Sequence, residues 1–311
     1  MIEHYWFRAF AIAFASFALI YVALSALSAL TWNVVRRRHS QSTELLFTLL
    51  AAPMLVSAAT VLFLIFPAFL RFEPMVSEPT GGALISFAAI GVAIVMVGIA
   101  RATTAWVRTS RSVRRWTSGA VVSNLQADLP ILTTKDESPA AVVAGIVRPR
   151  LLISRSTTRA LSSNELRLVV AHEREHARRR DNLRKLLLAA NFMPFRRQIE
   201  QEWMLSCELA ADRGAVANGY DACDLAAALV KVSRMACVQG SLATNFAATS
   251  PAILQMRVQK LISWEPSESA PQSNVPVDLL MAAIALASGI VLVFSGNILS
   301  VVHRITELWM Y

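Results

Sequence analysis

The sequence predicts an α-helical membrane protein that carries a compact α+β domain between its last two membrane spans. Three observations lead there. Four long apolar runs carry no charge, roughly 150 residues of mixed composition separate the third run from the fourth, and that interval holds a His-Glu-x-x-His signature. The composition agrees: 55% of the 311 residues are hydrophobic and 16% are charged, against roughly 25% charged in ordinary soluble proteins. The mean hydropathy is +0.48. A soluble domain of that balance would expose too much apolar surface, and a disordered chain would be far more polar.

The runs lie between Arg8 and Arg36, Glu44 and Arg71, Glu78 and Arg101, and Asp278 and His303. Each exceeds the roughly 20 residues that a bilayer core requires. Spans are therefore expected at 10–32, 45–70, 82–105 and 279–302, three before the domain and one after it. Pro53 and Pro67 fall inside the second, where neighbouring helices make them tolerable. The first run reads as a retained span rather than a cleaved leader: its N-terminal flank contains Glu3 as well as Arg8, while Arg36-Arg37-Arg38 follow it.

Short flanks set the orientation, the Lys/Arg-rich side being cytoplasmic. The 36–43 loop has three Arg, the 71–80 loop has Arg71 beside Glu73 and Glu78, and Arg101, Arg108, Arg111, Arg114 and Arg115 follow the third run. Both termini are then expected outside and the domain inside, with a short external tail at 303–311. Tyr5, Trp6, Trp309 and Tyr311 would line one membrane surface as aromatic belts. The net charge of +9 thus reads as a membrane-facing collar. No aromatic-interleaved or helix-turn-helix pattern accompanies it, so no direct nucleic-acid partner is expected.

The domain is expected over 108–263, with a Pro/Ser-rich linker at 264–278. Residues 120–154 form its small β region, in which Ala141–Gly145 and Leu151–Ile153 flank Arg148-Pro149 as a hairpin or two edge strands. Ser162 and Glu165 have capping-box spacing and open a helix expected to run to about residue 190. Further helices are expected over 198–217, closed by Gly219, and over 222–238. The apolar stretch Leu186–Phe195 is too short to span; it reads as core, with a segment lying on or dipping into the membrane as the alternative. Cys207, Cys223 and Cys237 form no C-x-x-C pair, which argues against disulfides and thiolate zinc sites.

His172-Glu173-x-x-His176 carries the chemistry. On a helix, residues i and i+4 share a face, so the two imidazoles converge on one point, as Zn²⁺ requires. Glu173 lies about 100° further round. It is too far off-axis to ligate, but it can reach a water acidified by the metal and take its proton as hydroxide attacks a peptide carbonyl. Glu175 and Arg179 read as an i, i+4 surface pair. A catalytic zinc needs a third protein ligand and an open fourth position. No third His stands at a suitable spacing, which leaves the carboxylates of the next helix: Glu200, Glu202, Glu208 and Asp212. Glu208 and Asp212 are i, i+4; Glu208 is favoured as ligand and Asp212 as the group that orients a ligand imidazole. Glu200 and Glu202 read as a solvated, Arg-paired face. Tyr220 is a weak candidate for stabilising an oxyanion.

The run from His172 to Leu183 resembles the zinc-site helix of the β-lactam sensor-transducer metallopeptidases, antirepressor proteases of the bacterial cytoplasmic membrane. Glu208-Leu-Ala-Ala-Asp212 matches that family's Glu-x-x-x-Asp element, and Gly145–Ser154 resembles the strand pair ahead of the helix. The resemblance implies a gluzincin-type, zincin-like metallopeptidase domain, a third ligand from Glu208, and a winged-helix repressor as the regulated substrate. Two departures stand out. Only Arg304–Tyr311 follow the fourth run here, so no penicillin-binding sensor domain and no direct β-lactam sensing are expected. Ala211 replaces a Cys common in the family, a neutral exchange of one small apolar side chain for another.

Three functions fit the sequence. The first is a regulated membrane zinc endopeptidase that cleaves a cytoplasmic regulator. The second is a quality-control protease for membrane proteins. The third is a non-enzymatic scaffold with a structural zinc, against which Glu173 argues, because a structural site needs no base.

Overall fold

A computed structural model describes residues 2–36, 42–73, 81–123, 129–135, 140–146, 148–193, 196–217, 219–238 and 251–264. The fourth expected span, the external tail and, apart from Trp264, the linker lie outside these residues.

Helices α1 (Ile2–Val35), α2 (Thr43–Thr60), α3 (Phe66–Phe72) and α4 (Gly82–Thr117) hold the first three apolar runs. Three stretches, Ile2–Val34, Thr43–Phe72 and Gly82–Thr117, are long and apolar enough to cross a membrane. The first two extend beyond the expected limits at both ends, and the third starts where expected and runs further at its C-terminal end. Between α2 and α3 the chain makes a π-helical turn, Val61–Ile65. Pro67 has no N–H to donate and its ring crowds the preceding carbonyls, so the ladder resets just before it. Ile85, Phe87, Ile90, Met96 and Ile99 of α4 are exposed, as lipid-facing side chains are.

The domain begins with a four-stranded sheet: β1 (Val121–Val122), β2 (Ile131–Thr134), β3 (Ala141–Ala144) and β4 (Arg150–Ser154), in the order β1-β2-β4-β3. The pair around Arg148-Pro149 is antiparallel, with Val143 opposite Leu151. Of this pair β3 is an edge strand and β4 lies inside, parallel to β2. Gly145 leaves β3 at φ +100°, and a Cβ there would come 2.7 Å from the Arg148 carbonyl oxygen. Only glycine fits this turn.

Helices α5 (Arg155–Ala160), α6 (Ser163–Arg178), α7 (Asp181–Ala190), α8 (Arg196–Ala217), α9 (Ala222–Val238) and α10 (Pro251–Ile262) follow. The Ser162/Glu165 capping box forms in full and fixes where α6 starts. Leu166 and Val169 of α6 pack with Ile131, Val143, Leu151 and Ile153 of the sheet and Ala228 of α9. On its other side, Leu168 and Ala171 pack with Ala215 of α8, Leu225 of α9 and Leu261 of α10. α6 is therefore clamped on two flanks, which holds its polar stripe rigidly.

The expected single helix to residue 190 is in fact two. Arg180 has φ +54°, the left-handed turn that ends α6, and α7 starts afresh at Asp181. The same ending changes the surroundings of the expected Glu175–Arg179 pair. Arg179 occupies the C-cap, and Arg178 pairs with Glu175 at 2.8 Å, one residue nearer.

Contacts divide the chain into two compact units. One comprises residues to Ala102 with Leu188–Glu200. The other comprises Thr103–Leu187 and the described part of Gln201–Gln272. In the first, Tyr21 donates to Asn191 Oδ1 at 2.6 Å, and the Asn191 amide donates to the Leu50 carbonyl. Leu188, Asn191 and Met193 are thus buried against the apolar helices, with the Asn191 side chain satisfied inside the protein, while Phe192 is exposed. Every residue of the candidate site lies in the second unit.

Candidate metal centre

His172 and His176 lie one turn apart on α6, and Glu208 faces them from α8. Their ligating atoms fall within 4.8 Å of one another. The two Nε2 atoms are 3.1 Å apart, and Glu208 Oε2 and Oε1 lie 3.6 Å from His172 and His176 respectively. Ligands placed tetrahedrally at 2.0–2.1 Å from one ion would be about 3.3 Å apart. The three donors therefore fit a single zinc-sized ion. Glu200 and Glu202, the candidates read as a solvated face, are placed so: Glu200 pairs with Arg196 at 2.9 Å, and Glu202 is exposed.

Both imidazoles are held from behind by carboxylates. Asp212 Oδ1 stands 3.0 Å from His172 Nδ1, an ion-pair contact rather than an aligned hydrogen bond. This is the position expected from its i, i+4 spacing with Glu208. His176 Nδ1 bonds to Asp181 Oδ2 at 2.7 Å. Sequence reasoning missed Asp181. On a continuous helix a residue five further on faces away, about 140° round. The left-handed turn at Arg180 swings Asp181 back onto the ring. The signal available was the start of a new helix at Asp181-Asn182, both favoured helix-initiating residues. His176 Nδ1 is thus hydrogen-bonded and His172 Nδ1 faces a carboxylate, which leaves each Nε2 toward the centre.

Glu173 leans the other way, toward the edge of the sheet. Its Oε2 accepts the Val143 N–H at 3.1 Å. Asn182 Nδ2 donates to the Val143 carbonyl at 2.9 Å and to the Gly145 carbonyl at 3.1 Å, tying β3 to the start of α7. A cavity of about 500 Å³ opens beside this corner, lined by Val143, Gly145, Ile146, His176 and Asn182 among others.

Arg257 was also missed. It is 3% exposed, and its Nε and Nη2 grip the two oxygens of Asp212 at 2.8 and 2.7 Å. Its Nη1 lies 2.8 Å from Glu208 Oε2. In spite of burial, this guanidinium holds the Glu208 carboxyl well below the usual carboxylate range and lowers that of Asp212. Burial disfavours a charged His172, but Asp212 and Glu208 outweigh it and push the metal-free imidazole up to about 9. Cys207 is buried and its thiol is pushed upward by that burial, so it stays protonated. Tyr220 is not at the centre; it packs against the Leu168–Leu225 cluster. Ala211 is fully buried, as a small apolar residue suits this position.

Apolar helices long enough to cross a membrane and a His-His-Glu cluster able to hold a metal point to a membrane-associated metalloprotein, and the family match makes it a metallopeptidase. The BlaR1 peptidase M56 family is matched over residues 8–261, most of the chain, and the chain belongs to that family. No curated protein matches it.

Proposed function

We propose that the chain is a zinc endopeptidase of the bacterial cytoplasmic membrane, with its catalytic domain on the cytoplasmic side. Its role on this reading is signal transduction, by cleavage of a regulator such as a winged-helix repressor. The observation that carries the proposal is the convergence of His172, His176 and Glu208, one ligand atom from each lying within 4.8 Å of the others, with Glu173 next to His172 in the chain.

His172, His176 and Glu208 would hold the ion. The ion would polarise the scissile carbonyl and acidify a water in the fourth position. Glu173 accepts a proton from the attacking water and passes it to the departing amide nitrogen. Its Val143 anchor keeps the carboxylate off the ligand set and beside it. Asp212 and Asp181 hold the imidazoles in one tautomer and orientation. The cavity beside His176 supplies room for a peptide substrate. The Arg-rich flanks at 36–38 and 101–115 support the cytoplasmic placement.

The test is metal content and substrate loss together. Purified chain should hold one zinc, and Glu208→Ala should lose it. Proteins that accumulate in cells carrying an inactive variant should include a small DNA-binding repressor. A broad set of damaged membrane proteins would favour quality control instead. Full zinc occupancy in Glu208→Ala would remove the proposed third ligand.

A further inference from the structure

Arg257 is the one strongly buried cation beside the candidate ligands among the described residues, and no role above requires it. Burying a guanidinium is costly unless its donors are paired. Here three donors engage two carboxylates that α8 presents one turn apart: Nε and Nη2 on Asp212, and Nη1 on Glu208 Oε2. A planar fork suits that task; a lysine ammonium does not. The fork treats the two oxygens of Glu208 differently. Each oxygen lies 3.6 Å from one imidazole, Oε2 from His172 Nε2 and Oε1 from His176 Nε2, but the ion pair with Nη1, at 2.8 Å, falls on Oε2.

We propose that Arg257 is a positioning residue that restricts Glu208 to one ligating oxygen. It occupies Oε2 and leaves Oε1 to the metal, so the fourth position stays open for water or substrate. It does this while fixing both oxygens of Asp212, and so also the ring of His172. The inference rests on the metallopeptidase reading. A carboxylate free to use both oxygens would fill the vertex that catalysis needs and would donate more charge to the ion. Both effects would make the metal a poorer Lewis acid without making it bind more weakly.

The experiment uses the full chain in detergent micelles, loaded with Co²⁺, whose visible absorption weakens as coordination rises from four to five. Arg257→Met keeps length and removes the charge. It should still bind one Co²⁺, with affinity no weaker than wild type and a clearly weaker visible band. On a peptide substrate, kcat should fall at least about tenfold while KM stays within about threefold. Arg257→Lys restores the charge but not the fork, and should recover only part of the band and of kcat. A wild-type spectrum with wild-type kcat in Arg257→Met would overturn the proposal. So would loss of metal with the fold intact, which would reduce Arg257 to a prop for the ligands. If Arg257→Met does not fold, Arg257→Lys decides, and a wild-type spectrum there overturns the proposal. If wild-type chain binds no Co²⁺, the metallopeptidase reading has failed instead.

Discussion

Asp181 offers a sharp test of how the helix break serves the metal centre. It is 1% exposed, and its Oδ2 lies 2.7 Å from His176 Nδ1. Asp181→Ala removes the acceptor and frees the ring to rotate about its side-chain bonds. A hydrogen bond to a charged group contributes about 1.5–3 kcal/mol. If that stabilisation is felt only when Nε2 is presented to the metal, zinc affinity should fall roughly 10–100-fold. Asp181→Asn keeps a neutral acceptor and should lose less, about tenfold at most. The assay is competition for zinc against a chromophoric chelator, with the full chain in micelles. Helix content by circular dichroism controls for unfolding of α7, which begins at this residue. A zinc Kd for Asp181→Ala within threefold of wild type, with helix content unchanged, would refute the reasoning.

Two further outcomes follow from other features. Because the metal-free His172 is pushed up to about 9 from an ordinary 6.5, its proton stabilises the folded apoprotein fully below about pH 6.5, and that stabilisation disappears as pH rises through 9. Metal must expel this proton, so zinc affinity should climb about tenfold per pH unit between those values, as chelator competition across pH will read. In the membrane-helix unit, Arg8 and Glu73 form a buried pair at 2.7 Å. Glu73→Gln should cost about 3–5 kcal/mol in thermal or denaturant unfolding, and the double change Arg8→Met with Glu73→Leu should restore most of it.

Features written at helical or bilayer period were legible in the sequence. The apolar runs gave α1 to α4, and the i, i+4 pairs His172/His176 and Glu208/Asp212 gave two faces that the structure does bring together. The capping box at Ser162 was legible because it is local. What escaped was non-local or broke the period. The split between α6 and α7 occurs in Arg178-Arg179-Arg180-Asp181, a polar run with neither Gly nor Pro to mark it. Arg257 lies 85 residues from His172, and no motif marks it in the sequence. Its burial depends on where α10 packs, which no local pattern encodes. Likewise the Glu173–Val143 contact joins a helix to a sheet edge 30 residues away.

The central claim is that Glu173 acts as a base beside a metal held by its neighbours. Glu173→Gln keeps the shape of the side chain and its contact with Val143, but cannot accept the proton. The deciding measurement is zinc content and peptide hydrolysis on the same preparation of this variant. The account predicts one zinc per chain, as in wild type, with hydrolysis reduced at least about 10²-fold. Hydrolysis at the wild-type rate with zinc bound would contradict it.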